Sequence, residues 1–317
     1  MKLTNLKKKD FEDILGNYNI GKYKKSRHIK WALGNTVYIV DTTRGKYVIK
    51  IFERAKLDYI KYQIKIMNFL NLKKVPIPKL IKTKKNRFLL IRNDKRMLIQ
   101  RFVEGKTPKK LSKKLVKDIA KKMGLMNKYL LKLKLQGKYI WQKDHEFKPF
   151  KFKGVKTKGF DFKEEEKKLL TELRKLKRKK LRKSVVHGDF RESNLIVKND
   201  ELNAIIDWND SHEDYLPYEI AVLINDSFIS KNKVQKKDIK LFFKEYQKYL
   251  KLNGEEKKGI YYFIKQRYLG IIFYHIKQMK THQDLVEDLK KSQGSQINQY
   301  KTFNKLSLEK FLELFEK

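Results

Sequence analysis

The chain has 317 residues and carries 78 Lys and Arg against 36 Asp and Glu, a formal net charge of +42. A field of that sign draws polyanions or anionic surfaces, yet the charge is spread along the chain, and Tyr, Phe, Lys, Ile and Asn are abundant while Gly and Pro are scarce, which is also the mark of general compositional drift. The absence of Cys excludes disulfides, thiolate nucleophiles and Cys-based zinc sites, and a hydrophobic fraction of 40% excludes disorder for most of the chain and suits one large domain or two lobes.

The N-terminal segment, charged and with no apolar stretch behind its lysines, does not read as a signal peptide. Runs rich in β-branched and aromatic residues predict strands at Tyr18 to Ser26, Thr36 to Asp41, Lys46 to Phe52, Arg87 to Asn93 and Met97 to Val103, with turns at Thr42 to Gly45 and Asn93 to Arg96. One helix, Lys56 to Leu72, lies between the third and fourth strands and is stopped by Val75-Pro-Ile-Pro78. Beyond Val103 the apolar period becomes helical. Leu115, Ile119, Met123, Met126, Leu130 and Leu133 form one stripe, and Phe162, Leu169, Leu173 and Leu176 another, with Glu164 to Glu166 in its first turns and Arg174 to Lys183 at its end, as the helix dipole favours. Further helices are expected at Tyr215 to Ser230, Lys236 to Leu252, Glu255 to Met279 and Ser307 to Glu316, and an irregular insertion at Gln136 to Gly159. The longest apolar run, Tyr268 to Ile276, is too short to span a membrane and is flanked by Lys265 and Lys277, so a soluble cytoplasmic protein without a membrane partner is expected. The pattern predicts an α+β architecture, a small β-rich lobe followed by a larger helical lobe, joined near residue 104.

One stretch interrupts the helical pattern with chemistry: Ser184-Val-Val-His-Gly-Asp-Phe-Arg-Glu-Ser-Asn-Leu-Ile-Val197, followed by Asn203-Ala-Ile-Ile-Asp-Trp208. A polar loop with Asp189 at its start and Asn194 five residues on can turn a carboxylate toward a hydroxyl and an amide oxygen toward a metal. A strand ending in Asp207 then adds a second hard oxygen ligand suited to Mg²⁺. Protein-kinase catalytic loops use the same offset between base and metal-binding Asn.

His187-Gly-Asp-Phe-Arg-Glu-Ser-Asn194 and Ile205-Ile-Asp-Trp208 resemble the motifs of the aminoglycoside phosphotransferase and choline kinase superfamily, and within it the type II homoserine kinases. Asn35 to Glu53, Val75 to Pro78 and Asp214 to Ala221 extend the likeness over most of residues 15 to 230. The resemblance implies a bilobal protein-kinase-like fold, an ATP-binding lobe at 1–103 with a small antiparallel β-sheet and one helix, and a mainly helical catalytic and substrate-binding lobe at 104–317. It implies ATP and Mg²⁺ as cofactors and a small-molecule hydroxyl substrate, homoserine first, with choline-like and aminoglycoside acceptors beside it.

Residue by residue, the resemblance implies that Asp189 is the catalytic base, Arg191 touches the transferring phosphoryl group, Asn194 and Asp207 bind the metal, and Lys50, Asn35, Thr36, Arg101 and Val103 bind the nucleotide. Alternation in Tyr47-Val-Ile-Lys-Ile-Phe52 puts Lys50 on the face of Val48 and Phe52, aimed into a cleft. His187 reads as a structural residue, and Ile29 to Thr36, with Gly34 as its one glycine, as the phosphate-covering loop. Asp207, Asp210, Glu213 and Asp214 form an acidic cluster in a basic chain, which assigns Asp210 and Asp214 to a substrate amine, and Arg267 offers a fork for a substrate carboxylate or phosphate. Two departures from the family pattern stand out. Only Asp58 offers an acid on the helix after Lys50, and Glu219 replaces the usual Asp of an Asp-[Leu/Ile]-Ala motif.

Two other classes fit parts of the sequence. A nucleic-acid binder on a kinase-like scaffold would use Arg174 to Lys183 as its patch, with Trp141, Phe147, Phe150 and Phe152 as stacking rings. A pseudokinase would keep the fold and lose the chemistry, against which stands the intact set of Lys50, Asp189, Asn194 and Asp207.

Overall fold

A computed structural model describes residues 4–29, 34–135, 149–150, 159–281 and 283–316. Residues 30–33 of the expected phosphate-covering loop, most of the expected insertion, and Trp141, Phe147 and Phe152 lie outside the described residues. The chain divides into two compact units, one formed by residues up to Lys106 with Ile196–Lys198 and Asn203–Ile206, the other by Thr107–Leu195, Asn199–Leu202 and the chain from Asp207 onward.

The first unit begins with helix α1 (Lys8–Leu15), followed by strands β1 (Tyr23–His28), β2 (Asn35–Thr42) and β3 (Gly45–Phe52), helix α2 (Leu57–Leu72), and strands β4 (Leu80–Ile81), β5 (Leu89–Arg92) and β6 (Lys95–Arg101). All pairings are antiparallel, in the order β1-β2-β3-β6-β4 with β5 also on β6. The unit therefore holds two helices where the sequence predicted one. Helix α1 is short and mostly charged, but Phe11, Ile14 and Leu15 at i, i+3 and i+4 give it a buried face. Asp10 caps it by accepting the Lys7 N–H at 2.8 Å.

Period-two alternation divides β3 between two faces. Tyr47, Ile49 and Ile51 join Phe11, Ile14, Leu15, Val40 and Ile99 in one core, with the Phe11 ring stacked on Tyr23 at 5.2 Å. Lys50 lies on the opposite face, paired across the ladder with Val37 and Leu98. Helix α2 belongs to that face too, because Gln100, two residues along β6 from Leu98, donates to the Met67 sulfur at 3.8 Å. The predicted strand at Tyr18 to Ser26 starts late, at Tyr23, because Gly21 turns the chain at φ +89°, where a Cβ would collide with Thr43. The β5–β6 turn places Asn93 and Asp94 both at positive φ (46° and 57°), as a two-residue hairpin turn demands.

The second unit contains α3 (Lys113–Leu130), α4 (Phe162–Arg174), β7 (Lys183–Val186), β8 (Leu195–Lys198), β9 (Glu201–Ile205), β10 (His212–Tyr215), α5 (Leu216–Ser227), α6 (Lys236–Tyr246), α7 (Gly254–Thr281), α8 (Val286–Asn304) and α9 (Leu308–Leu312), the β8–β9 hairpin being shared with the first unit. Ser112 and Asp161 cap α3 and α4 through the N–H groups of Leu115 and Glu164, both at 3.0 Å. Strands β7 and β10 pair antiparallel, and β8 pairs with β9. Helix α8, absent from the sequence expectation, buries Gln293, Ile297, Tyr300 and Phe303. Among the described residues no helix is long and apolar enough to cross a membrane.

Part of the basic run at Arg174 to Lys183 is structural. Arg182 grips the fully buried Glu256 with Nε and Nη2 at 2.6 and 2.7 Å and reaches the Lys251 carbonyl at 2.7 Å, Lys175 pairs with Glu172 at 2.7 Å, and Lys183 lies over the Tyr215 ring. Phe150, expected as a stacking ring, packs between Phe162 and Phe273 at 5.8 and 5.1 Å.

Candidate active site

The loop from His187 to Asn194 leaves β7 through a backbone that only glycine tolerates. Gly188 has φ +80°, and a Cβ there would strike the carbonyl oxygen of Asp210. The turn is held from α5, where the buried Glu219 carboxylate accepts the His187 N–H at 2.7 Å and the Gly188 N–H at 3.1 Å. Burial raises the Glu219 pKa, and the His187 ring and the two N–H groups oppose that shift. Glu219 thus reaches both N–H groups of the loop, in the place where the sequence expectation puts an Asp. His187 is buried edge-on against Trp208 at 4.6 Å, and its Nδ1 accepts the Asp189 N–H at 3.3 Å, a structural placement.

Asp189 receives donors on both carboxylate oxygens. Oδ2 accepts from Asn194 Nδ2 at 2.9 Å and lies 3.1 Å from Arg191 Nε, while Oδ1 accepts from Arg267 Nη2 at 3.2 Å. Asn194 Nδ2 also donates to the Asp189 carbonyl at 2.9 Å, so its amide turns the NH₂ group to Asp189 and keeps its oxygen for another partner. The structure therefore brings Asp189, Arg191, Asn194 and Arg267 together.

Arg267 departs from its expected role. Its side chain is 12% exposed, and besides Asp189 it donates through Nη2 to Asp226 Oδ2 and through Nη1 to the Tyr218 hydroxyl, each at 3.2 Å. Burial by itself would lower the guanidinium pKa, but Tyr218, Asp226 and Asp189 more than offset it, and the net shift is upward. An arginine so engaged is not an open fork for a substrate anion. Asp226, Tyr218 and Glu192 have no role in the sequence reading, although Glu192 and Tyr218 lie within its motifs and Asp226 lies seven residues after Glu219 and so shares its helix face. Glu192, in the loop, has a pKa raised by burial and by Asp226.

Asp207 stands in the left-handed region (φ 62°, ψ 67°), a conformation that Asp adopts more readily than most side chains. It and Asp210 are exposed. Asp214 is not: it is 4% exposed, with Oδ2 at 3.1 Å from His212 Nε2 and Oδ1 accepting the Tyr215 N–H at 2.6 Å. Its burial, with a partner on each oxygen, makes it a support for β10 and the start of α5.

In the first unit Lys50 is buried, 5.4 Å above the Phe52 ring. Asp58 is exposed, so the expected acid points to solvent; the buried polar side chain on α2 is Gln63. Asn35 is buried at the start of β2. Thr36, expected at the nucleotide, is fully buried and spends its hydroxyl on Glu53 Oε1 at 2.5 Å. Glu53 also accepts from Thr4 N and Lys95 Nζ, both at 2.9 Å. Although burial works against it, these donors bring its pKa down to about 2. Arg101 spends its N–H on the Lys79 carbonyl at 2.8 Å and Phe102 spends its own on Lys46 at 3.0 Å, whereas among the described residues no main-chain hydrogen bond engages Val103.

Sheet unit, helical unit and loop together define a phosphotransferase of the kinase-like fold. Residues 27–235 match the phosphotransferase enzyme family, and the chain belongs to that family. Among its relatives, the homoserine kinase of Methylobacillus flagellatus is 21% identical over 260 residues, covering 80% of this chain and 79% of the relative, and that of Rhodopseudomonas palustris is 25% identical over 240 residues, covering 70% and 69%. The fold is similar to those of the amicoumacin kinase hAmiN in complex with AMP-PNP, Ca²⁺ and amicoumacin (TM-score 0.70, 13% identity, 93% of this chain and 96% of that one) and a microcompartment-associated aminopropanol kinase (0.69, 16%, 96% and 98%).

Proposed function

We propose that this phosphotransferase moves the γ-phosphoryl group of ATP to the hydroxyl of a small, amine-bearing molecule, with homoserine the first candidate. The observation that carries the reading is Asp189, held by two side chains of its own loop and by Arg267 from outside it and presented with 22% of its side chain exposed. In the proposed reaction the acceptor hydroxyl donates its hydrogen bond to Asp189, its oxygen forms the new bond to the γ-phosphorus, the bond to the bridging oxygen of ADP breaks, and the hydroxyl proton passes to Asp189. Lys50 takes the α- and β-phosphates, Val103 offers its main chain to the base of the nucleotide, and Asn35 stands at the head of the strand leading from the phosphate-covering loop. Arg191, half-exposed beside Asp189, meets negative charge on the transferring group.

The donor set suits Mg²⁺. Asn194 has its amide oxygen to give and Asp207 a carboxylate, both hard oxygens, and among the described residues no three His, Cys, Asp or Glu side chains gather to hold a metal without help. An ion held by those two would complete its shell from phosphate oxygens and water, and when bound it supplies charge neutralisation to the triphosphate. Asp210, exposed three residues after Asp207, is the remaining candidate for a substrate amine.

The test is ADP formation from Mg-ATP against homoserine, 1-amino-2-propanol, choline and aminoglycosides, with wild type and Asp189→Asn in parallel. Acceptor-stimulated turnover that the variant lacks is the expected result. Full activity in the variant would remove Asp189 from its role.

A further inference from the structure

Building on the kinase reading, we propose that Arg267 is a positioning residue for Asp189, itself set by Asp226 and Tyr218, and that the acceptor hydroxyl is received at Asp189 Oδ1. Three observations carry the first part. Among the described residues Arg267 is the one contact to the Asp189 side chain from outside the loop; Arg191 and Asn194 move with the loop, and Arg191 is 47% exposed, where an ion pair constrains little. Arg267 is nearly buried and cannot follow solvent-driven motion; its Nη2 is shared between Asp189 and Asp226 and its Nη1 is on Tyr218. Its Nε is buried without a partner, so the guanidinium stands where the two carboxylates place it and not where its own donors would be best satisfied.

Both outer anchors lie on α5, the helix whose Glu219 ties the loop backbone. One helix thus governs the loop twice: directly, through the main chain at His187 and Gly188, and through Arg267, at the carboxylate that meets the substrate. The second part follows from acceptor capacity. A carboxylate offers about four lone-pair positions, two on each oxygen. Oδ2 already has Asn194 and Arg191 within 2.9 and 3.1 Å, while Oδ1 has one donor, Arg267. The vacant position is therefore on Oδ1, beside the guanidinium, and this is where the hydroxyl proton goes.

The experiment compares wild type, Arg267→Ala, Arg267→Lys and Asp226→Asn in Mg-ATP turnover with L-homoserine as acceptor and with water alone. Calorimetric titration of Mg-ATP and crystal structures of wild type and Arg267→Ala accompany it. A positioning role predicts kcat lower by about 10²-fold in Arg267→Ala, unchanged Mg-ATP affinity, and partial recovery, about tenfold, on adding guanidinium. Asp226→Asn falls between that variant and wild type, and the Arg267→Ala crystal shows a rotated Asp189 carboxylate. An Asp189 carboxylate that keeps its orientation in Arg267→Ala overturns the proposal, as does a kcat loss that ignores guanidinium and is matched by lost Mg-ATP binding. Arg267→Lys keeps the charge and loses the fork; wild-type kcat in it would also overturn the proposal. If wild type binds no Mg-ATP the kinase reading fails, and the orientation of Asp189 in the two crystals still decides the role of Arg267.

Discussion

The sheet unit and the helical unit hold their polar side chains by different means. In the sheet unit, strand register does the work: Lys50 is set on the face opposite Ile49 and Ile51 because it alternates with them, and its neighbours Val37 and Leu98 follow from the pairing of β2, β3 and β6. In the helical unit, the loop at 187–194 has no ladder of its own and is fastened by side chains from distant helices, Glu219 on α5 and Arg267 on α7. Register is robust to single substitutions, since each position carries a small share. A loop fastened at a few buried charged contacts concentrates its stability there, because each lost partner leaves a desolvated group behind.

That contrast can be broken or sharpened by substitution. Asp189→Asn, which keeps the Glu219 fastening but sets an NH₂ group against donors that now meet a carboxylate, should cost about 10³-fold in phosphoryl transfer, read as ADP formation, and lower the melting temperature as well. Glu219→Gln tests the fastening itself. An amide has one acceptor where the carboxylate has two, so its NH₂ group would face the Gly188 N–H, and a loss of about 3 kcal/mol is expected, read by thermal or urea unfolding. A variant as stable as wild type would show that the loop does not depend on its helix. Lys50→Ala should leave the sheet folded while weakening Mg-ATP binding by about 10- to 100-fold in calorimetry, the worth of one charge-assisted contact.

Glu53 supplies a pH test confined to the sheet unit. Its folded pKa, about 2, lies below the ordinary 4.5, so its stabilising contribution is complete above 4.5 and is lost as pH falls from there toward 2. The contribution is on the order of 1–2 kcal/mol after allowance for solvent screening. Acid unfolding of Glu53→Gln should lack that segment of the profile. The smallest effect expected is from Ser112→Ala, about 1 kcal/mol from loss of the α3 cap, by thermal unfolding.

The sequence made the sheet and the reacting loop readable because both are local. Alternation over Tyr47 to Phe52 names the face of Lys50, and the five-residue offset from Asp189 to Asn194 and the strand ending at Asp207 are visible as spacing. The fastenings were not readable, since Arg267 meets Asp189 across 78 residues and no period connects them. Arg267 therefore looked like a free ligand, and Asp214 looked equivalent to Asp210 although one is buried under His212 and the other exposed. Helix α8 escaped notice because Ser292, Gln293, Gly294, Ser295 and Gln296 interrupt its apolar stripe, and α1 because eight residues give too short a window. The resemblance implies a nucleotide contact at Thr36, but the Thr36 hydroxyl is claimed by Glu53, seventeen positions away in the chain.

Glu219 also bears on how such enzymes can be recombined. Its side chain is a methylene longer than the Asp of the family pattern and still closes on the two N–H groups of His187 and Gly188 at 2.7 and 3.1 Å, so α5 and the loop are matched to one another in reach. A chimera that imports the His187–Asn194 loop from an Asp-bearing relative, or α5 alone, would inherit a gap or a clash at that point. Moving the two segments as one cassette keeps that contact, while the Arg267 contact to Asp189 has to be met by α7 of the recipient scaffold.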